Sequence, residues 1–290
     1  MARAASGWLS ARLSWLSKSR DVSRKTPHIA AQASCVVMSE THEPSEAPSK
    51  GGYHLPVLPT EVAEWMNAKA GDFIIDATLG GGGHSEIFLE AGAQVLGIDR
   101  DPEAGRHFDA LRPAMPCPAR LVRADFATGL QDLAASGAKS DVILMDLGLS
   151  SMQVDTAERG FSYSRQAPLD MRMDPALEVT AADLVNGASE SDLTRWFREY
   201  GEERYAKQIA RAIVRRRDEQ PITTTGELVE VIRSAVPTPA LFAGGHPAKR
   251  VFQALRIEVN DELGILERAL PEAFALLRPG GRLAVISFQS

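Results

Sequence analysis

Only two cysteines occur in this 290-residue chain, Cys35 and Cys117, and they match no zinc or redox spacing. Neither a disulfide framework nor a structural metal is expected, and a reducing compartment is. Long apolar runs are also missing: none approaches the roughly 20 residues of a membrane span. There is no excess of positive charge either. With a formal net charge of −6, any contact with nucleic acid must use a local basic surface, because the field of the whole molecule is unfavourable. The chain is 44% hydrophobic and 24% charged, which suits one large or two small globular domains.

The first 37 residues stand apart. Arg3, Arg12, Lys18, Arg20, Arg24 and Lys25 face a single acid, Asp21, among many Ser and Ala, the composition of an organellar transit peptide. At Met38 the character changes to the polar, acidic Ser39-Glu40-Thr41-His42-Glu43-Pro44. Met38 is therefore an alternative translation start, with the upstream residues a leader outside the fold and Met38–Gly52 a disordered bacterial-type N-terminus. This second reading is preferred and implies a cytoplasmic protein; the first implies a mitochondrion or plastid. Either way, residues 1–52 are expected to form a leader or disordered extension.

From there the pattern alternates strand and helix. Strands are expected at Asp72–Thr78, Gln94–Ile98, Ala119–Arg123, Asp141–Leu147 and Arg282–Phe288, and helices at Pro59–Lys69, Ser85–Ala91, Pro102–Leu111 and Thr128–Ser136. That order predicts an α/β fold with a parallel, doubly wound sheet. Well over a hundred residues separate the fourth and fifth strands, too many for one crossover, so an inserted unit is implied. The divisions expected are a core at 53–155, a helical insert at 156–248 and the rest of the core at 249–290. Within the insert, Thr180 caps Ala181–Asn186 and Ser189 caps Glu190–Tyr200, followed by helices at Glu203–Asp218 and Thr225–Val236. On the third of these, Arg204, Lys207, Arg211 and Arg215 share one face, opposite Ala206, Ile209, Ala210 and Ile213. The basic face is either a solvated surface or a phosphate-binding one, and Arg195, Arg198, Arg216, Arg217, Lys249 and Arg250 nearby favour RNA.

The densest chemical signal is Asp76-Ala77-Thr78-Leu79-Gly80-Gly81-Gly82-Gly83-His84-Ser85. It joins the first strand to a helix through a turn without side-chain bulk, where backbone can approach a cofactor closely. The second strand ends in Asp99, placed to accept hydrogen bonds from ribose hydroxyls. A dinucleotide fingerprint would need a third glycine at Ser85, which is absent. Both S-adenosylmethionine and NAD carry an adenosine ribose, so Asp99 does not choose between them.

Later segments do. They are Leu144-Met145-Asp146-Leu147-Gly148-Leu149-Ser150-Ser151-Met152-Gln153, Gly160-Phe161-Ser162-Tyr163, Pro168-Leu169-Asp170-Met171-Arg172-Met173-Asp174, Arg250-Val251-Phe252-Gln253-Ala254-Leu255-Arg256-Ile257-Glu258-Val259-Asn260-Asp261-Glu262-Leu263 and Leu277-Arg278-Pro279-Gly280-Gly281-Arg282-Leu283. In this order, from Tyr53 to Ser290, the chain resembles the small-subunit ribosomal RNA (cytosine-N4) methyltransferase family, also called RsmH or MraW. The resemblance implies a class I methyltransferase fold with a helical insert, S-adenosylmethionine as cofactor and the small ribosomal subunit or its RNA as partner. Carried over by motif, the cofactor contacts are Gly82, Gly83 and His84, with Asp99 on the ribose, Phe126 near the adenine, and Asp146 and Gln153 closing the site.

Cytosine N4 is a poor nucleophile because its lone pair is delocalised into the ring. An acceptor must localise that pair while the amine is held in line with the methyl group. Asp146 is the candidate acceptor, in competition with a purely cofactor-binding role. The acidic or polar residue, two prolines and aromatic that DNA amino-methyltransferases carry at this place are absent, since the chain reads Asp146-Leu147-Gly148-Leu149. Phe161, Tyr163, Asp170 and Arg172 are candidate base or RNA contacts, Asp170 and Arg172 equally a structural pair. Neither a catalytic metal nor a covalent intermediate is expected.

The sequence also departs from the family. It stops at Ser290, before the two further strands that close a class I sheet, which would leave Arg282–Phe288 as an exposed apolar edge. Gln289 stands where many members have His. Three other functions stay open: an NAD-dependent dehydrogenase, disfavoured by the missing glycine; a non-catalytic ribosome-assembly factor that binds RNA through the insert; and a DNA or small-molecule methyltransferase, for which the basic insert has no purpose.

Overall fold

The computed structural model describes the backbone of residues 34–39 and, beyond it, residues 56–111, 117–238 and 246–287. Six strands form one sheet: β1 (Ser34–Ser39), β2 (Phe73–Asp76), β3 (Gln94–Asp99), β4 (Ala119–Arg123), β5 (Ser140–Leu147) and β6 (Leu277–Ser287). Their order is β1-β6-β5-β2-β3-β4 and every pairing is parallel. Parallel strands are buried on both faces, which is why the central ones read as continuous apolar runs. Successive residues still divide between the faces. Ile74, Val142, Leu144, Ala284 and Ile286 pack with Val62 and Met66 of α1 (Pro59–Met66) and Phe88 and Leu89 of α2 (Gly83–Glu90). Ile75, Ile143, Met145, Leu283 and Val285 pack on the other side with Leu130 of α4 (Phe126–Ala135) and Ile265 and Ala269 of α11 (Glu262–Leu276). Helix α3 (Pro102–Leu111) links β3 to β4.

From β2 the chain runs outward to β3 and β4, then returns past β2 to β5 and β6. The order therefore reverses between β2 and β5, and the carboxyl ends of strands at such a reversal are where open α/β sheets bind ligands.

All five expected strands are present. The last differs most: it begins at Leu277, and its pairing with β5 jumps from Ser140–Leu277 to Val142–Arg282, an irregularity that takes in Gly280 at φ 82°. Two expectations about the ends need correction. Ser34–Ser39, assigned to the leader or disordered extension, is β1, in register with β6 from Ser34–Arg282 to Ser39–Ser287. The apolar run Cys35–Met38 crosses the proposed start, and β1 covers the edge of β6 that was expected to be exposed. Residues 1–33, most of Met38–Gly52, and Phe288 and Gln289 lie outside the described residues.

The insert is helical. After α5 (Ser151–Asp155) and a 3-10 turn at Ala157–Arg159 come α6 (Ala181–Gly187), α7 (Glu190–Glu199), α8 (Ala206–Glu219), α9 (Thr225–Ala235) and α10 (Pro247–Val259). Thr180, Ser189 and Thr224 accept hydrogen bonds from the third residue of the helices they cap, which satisfies a first-turn N–H that has no acceptor within the helix. Helix α8 starts later than Glu203 because Glu203 turns inward: it is buried and paired with Arg250 at 2.7 Å, and Glu202 before it has φ 50°. Helix α10 was not anticipated. Its Val251, Phe252 and Leu255 pack with Leu193, Phe197, Ile209, Ile213 and Leu228, so the helical unit passes the expected boundary at residue 248 and ends at Val259.

Candidate functional site

The site is assembled where β2, β3 and β5 end. Asp76, the last residue of β2, is 1% exposed. Its carboxylate accepts a bond from Ser85 Oγ at 2.6 Å and from the Thr78 N–H at 3.3 Å. Burial raises its pKa, while Ser85, His84 and the Thr78 amide oppose the rise. This pair pins the far end of the glycine loop to the strand it left. Between the pins, Gly82 takes φ 80° as the cap of α2. A Cβ on Gly81 or on Gly82 would meet nothing within 4 Å, whereas one on Gly80 would touch Ser150 and one on Gly83 would press on Pro56, so the middle of the loop borders open space and its ends are packed.

Asp99 faces this loop from the tip of β3. Its two oxygens accept the N–H of Gly80 and of Asp101, each at 2.8 Å. Burial pushes its carboxyl up to about 6, against those two hydrogen bonds and with the help of negative Asp101 and Asp76. Asp101 is itself buried and anchors the third part of the site. Gln153 Nε2 donates to it at 2.8 Å, and Arg159 approaches it at 3.0 Å. Gln153 also closes a capping box with Ser150 at the start of α5. Arg159 continues to the carbonyls of Arg172 and Met173, at 2.9 and 2.8 Å.

At the end of β5, the Asp146 N–H donates to Thr78 Oγ1 at 2.6 Å. His84, on the first turn of α2, stands between two partners. Its Nε2 lies 2.7 Å from the Val57 carbonyl and its Nδ1 lies 3.7 Å from Asp146 Oδ2. A carbonyl only accepts, so Nε2 carries the proton, and the opposite nitrogen is turned to the carboxylate. Phe126 begins α4, half-buried against the core at the carboxyl end of β4, behind the Asp125 cap.

Gly82, Gly83, His84, Asp99, Asp146 and Gln153 thus lie at the carboxyl ends of β2, β3 and β5 or in the segments that follow them, Gly83 against Pro56, with Phe126 opening the next helix along the sheet. Sequence reasoning passed over Asp76, Asp101 and Arg159 as site residues. The first two adjoin the glycine loop and Asp99 in sequence, but only the fold shows what they hold.

Other candidates resolve differently. Phe161 is 7% exposed, part of the insert core with the Arg159 guanidinium 5.7 Å above its ring, so it is not a surface contact. Asp170 and Arg172 form a bidentate pair with bonds of 2.8 Å, and Arg172 also reaches the carbonyls of Pro175 and Leu177. Although burial opposes it, the Arg172 bonds hold the Asp170 carboxyl below its ordinary value. That is the structural reading of the two. Tyr163 remains 36% exposed.

Of the basic residues, Arg204, Lys207, Arg211 and Arg215 are all exposed, with Arg211 paired to Glu190 at 3.0 Å. Arg217 is occupied with the carbonyls of Val185 and Ala188, and Arg216 with that of Gln220. The basic surface is therefore narrower than the sequence suggests. Among the described residues no group of three or more His, Cys, Asp or Glu could hold a metal, and no helix is long and apolar enough to cross a membrane.

The model of the MraW methylase family matches residues 52–290. Curated relatives cover most of the chain. A protein of Heliobacterium modesticaldum is 50% identical over 244 residues, 82% of this chain and 78% of its own length. One of Acidothermus cellulolyticus is 49% identical over 256 residues, 86% and 78% of the two chains. One of Mycolicibacterium smegmatis is 45% identical over 290 residues, 96% and 77%. All three carry the name ribosomal RNA small subunit methyltransferase H.

Proposed function

The chain belongs to the MraW methylase family, and on that premise we propose that it transfers a methyl group from S-adenosylmethionine to the N4 amine of a cytidine in small-subunit ribosomal RNA. The relatives' names support an RNA methyltransferase of the small subunit. The observation that carries the reading is the convergence of an open glycine loop, Asp99 and Asp146 at the reversal point of a parallel sheet.

The residues fit the cofactor. No protein atom lies within 4 Å of a Cβ placed on Gly81 or Gly82, so the middle of the loop is open to a ligand. A carboxylate offers about four acceptor positions; Asp99 uses two on Gly80 and Asp101 and has capacity for the ribose hydroxyls. Phe126 supplies an apolar ring for the adenine, and Gln153 holds the turn after β5 against Asp101. When bound, S-adenosylmethionine supplies an electrophilic methyl group on a sulfonium.

The protein must make the amine reactive. Asp146, with His84 beside it, accepts a hydrogen bond from N4 and draws its lone pair out of conjugation. The exposed basic face of α8, with Lys207 and Arg215, meets RNA phosphates. The test is methylation of unmodified small subunits with digestion to nucleosides, where N4-methylcytidine is the expected product.

A further inference from the structure

Tyr163 and His246 form a stack that nothing above uses. Their ring centroids are 5.3 Å apart and their planes differ by 14°. Phe252 of α10 meets Tyr163 edge-on at 6.1 Å. Phe252 is buried in the insert core, so the stack is founded on a rigid element, yet Tyr163 keeps 36% of its surface open. A tyrosine that only closed a core would turn its ring inward. His246 caps α10 through Nδ1, which accepts the Ala248 N–H at 3.2 Å. Burial, aided by the charge of Arg233, holds its pKa below the ordinary value, so the ring stacks as a neutral imidazole. Exposed cations lie near the pair: Arg233 on α9, whose charge acts on His246, Lys249 one turn beyond His246 in α10, and Arg165 two residues from Tyr163, donating to the Asp155 carbonyl. On the other side, the segment returns to the site within a few residues, since Arg159 binds Asp101 and covers Phe161.

An aromatic face on a rigid support with positive charge nearby is how proteins hold single-stranded nucleic acid, because every base presents a π-face. We propose that Tyr163 and His246 form a platform on which one base of the RNA substrate stacks, either the target or a neighbour of it. This rests on the RNA-substrate reading above.

The experiment compares wild type with Tyr163→Ala, Tyr163→Phe and His246→Asn. Asparagine keeps a capping acceptor and removes the ring. Each is assayed for KM on unmodified small subunits, for cofactor Kd by calorimetry and for Tm. Tyr163→Ala and His246→Asn should raise KM by about tenfold, at the lower end of what one stacked base contributes, with cofactor Kd and Tm retained. Tyr163→Phe should behave as wild type. An unchanged KM for Tyr163→Ala beside an active wild type overturns the platform. So does a loss in which cofactor binding and Tm fall in step with KM, the sign of a merely structural stack. If wild type itself methylates no RNA, the failure lies with the RNA-substrate reading instead.

Discussion

Gln153 Nε2 donates to Asp101 Oδ2 at 2.8 Å, joining residues 52 apart in sequence. That bond fixes α5, which follows β5, against the turn after β3. Arg159 grips the same buried carboxylate at 3.0 Å and carries the connection to the carbonyls of Arg172 and Met173. The helical unit is thereby fastened to the sheet next to Asp99, which accepts the Asp101 N–H.

Removing that anchor should be costly. Asp101→Ala leaves the Gln153 amide and the Arg159 guanidinium without their acceptor in a buried place. A loss of about 3 kcal/mol in unfolding free energy is expected, together with weaker cofactor binding. Urea denaturation checks the first and calorimetry the second. A loss below about 0.5 kcal/mol, the size of an ordinary surface substitution, would show that the anchor holds nothing.

The open space beside the glycine loop makes a separable prediction. Gly81 is not in the left-handed region, and an added Cβ touches nothing within 4 Å. Gly81→Ala should therefore fold with an unchanged or slightly higher Tm, while its methyl group intrudes on the cofactor and weakens binding. Equal Kd values for the variant and wild type would put the ligand elsewhere.

Asp99 sets a pH dependence. Its carboxyl titrates at about 6 in the cofactor-free protein, and only the ionised form offers both oxygens to ribose hydroxyls. Cofactor affinity should be flat above about pH 7 and fall by up to tenfold per unit below about pH 6. Binding near pH 6 should release a proton, visible as a buffer-dependent calorimetric heat. Stability runs the other way. Because the folded pKa lies above the ordinary 3.8, this group favours the cofactor-free fold at acid pH, and that contribution is lost as pH rises through about 6. A cofactor affinity independent of pH across this window would remove Asp99 from the ribose.

Asp146 carries the catalytic part of the account. Asp146→Asn keeps the shape and the backbone bond to Thr78 Oγ1 but weakens the acceptor for the amine. The expected result is a fall in kcat of about a hundredfold with cofactor Kd changed less than about threefold, under half the energy of one charged hydrogen bond. If Kd rises and kcat holds, Asp146 belongs to cofactor binding alone.

Much of this was legible before the structure. The apolar runs at Ile74–Ile75 and Val142–Met145, in a chain that alternates strand and helix, point to buried parallel strands, and the four glycines between Asp76 and His84 mark the turn. Contacts between distant segments were not legible. Phe161 sits in a polar stretch, and only the arrival of the insert helices and Arg159 buries it. Asp170 and Arg172 have a spacing equally suited to a pair or to two ligands, and the loop geometry decides. Composition places residues 35–38 in a leader or extension, and the strand they pair with, β6, lies well over two hundred residues away, beyond the reach of any local pattern. Asn260 lies in the Arg250–Leu263 segment, but its bonds to Met171 and Met173, both at 2.7 Å, exist only once the insert has folded back.

The most direct measurement is transfer of a labelled methyl group from S-adenosylmethionine to unmodified small ribosomal subunits, followed by digestion and mass spectrometry of the nucleosides. The account predicts label in N4-methylcytidine, abolished or strongly reduced by Asp146→Asn. Label in another nucleoside, or firm cofactor binding with no labelled RNA, would contradict it.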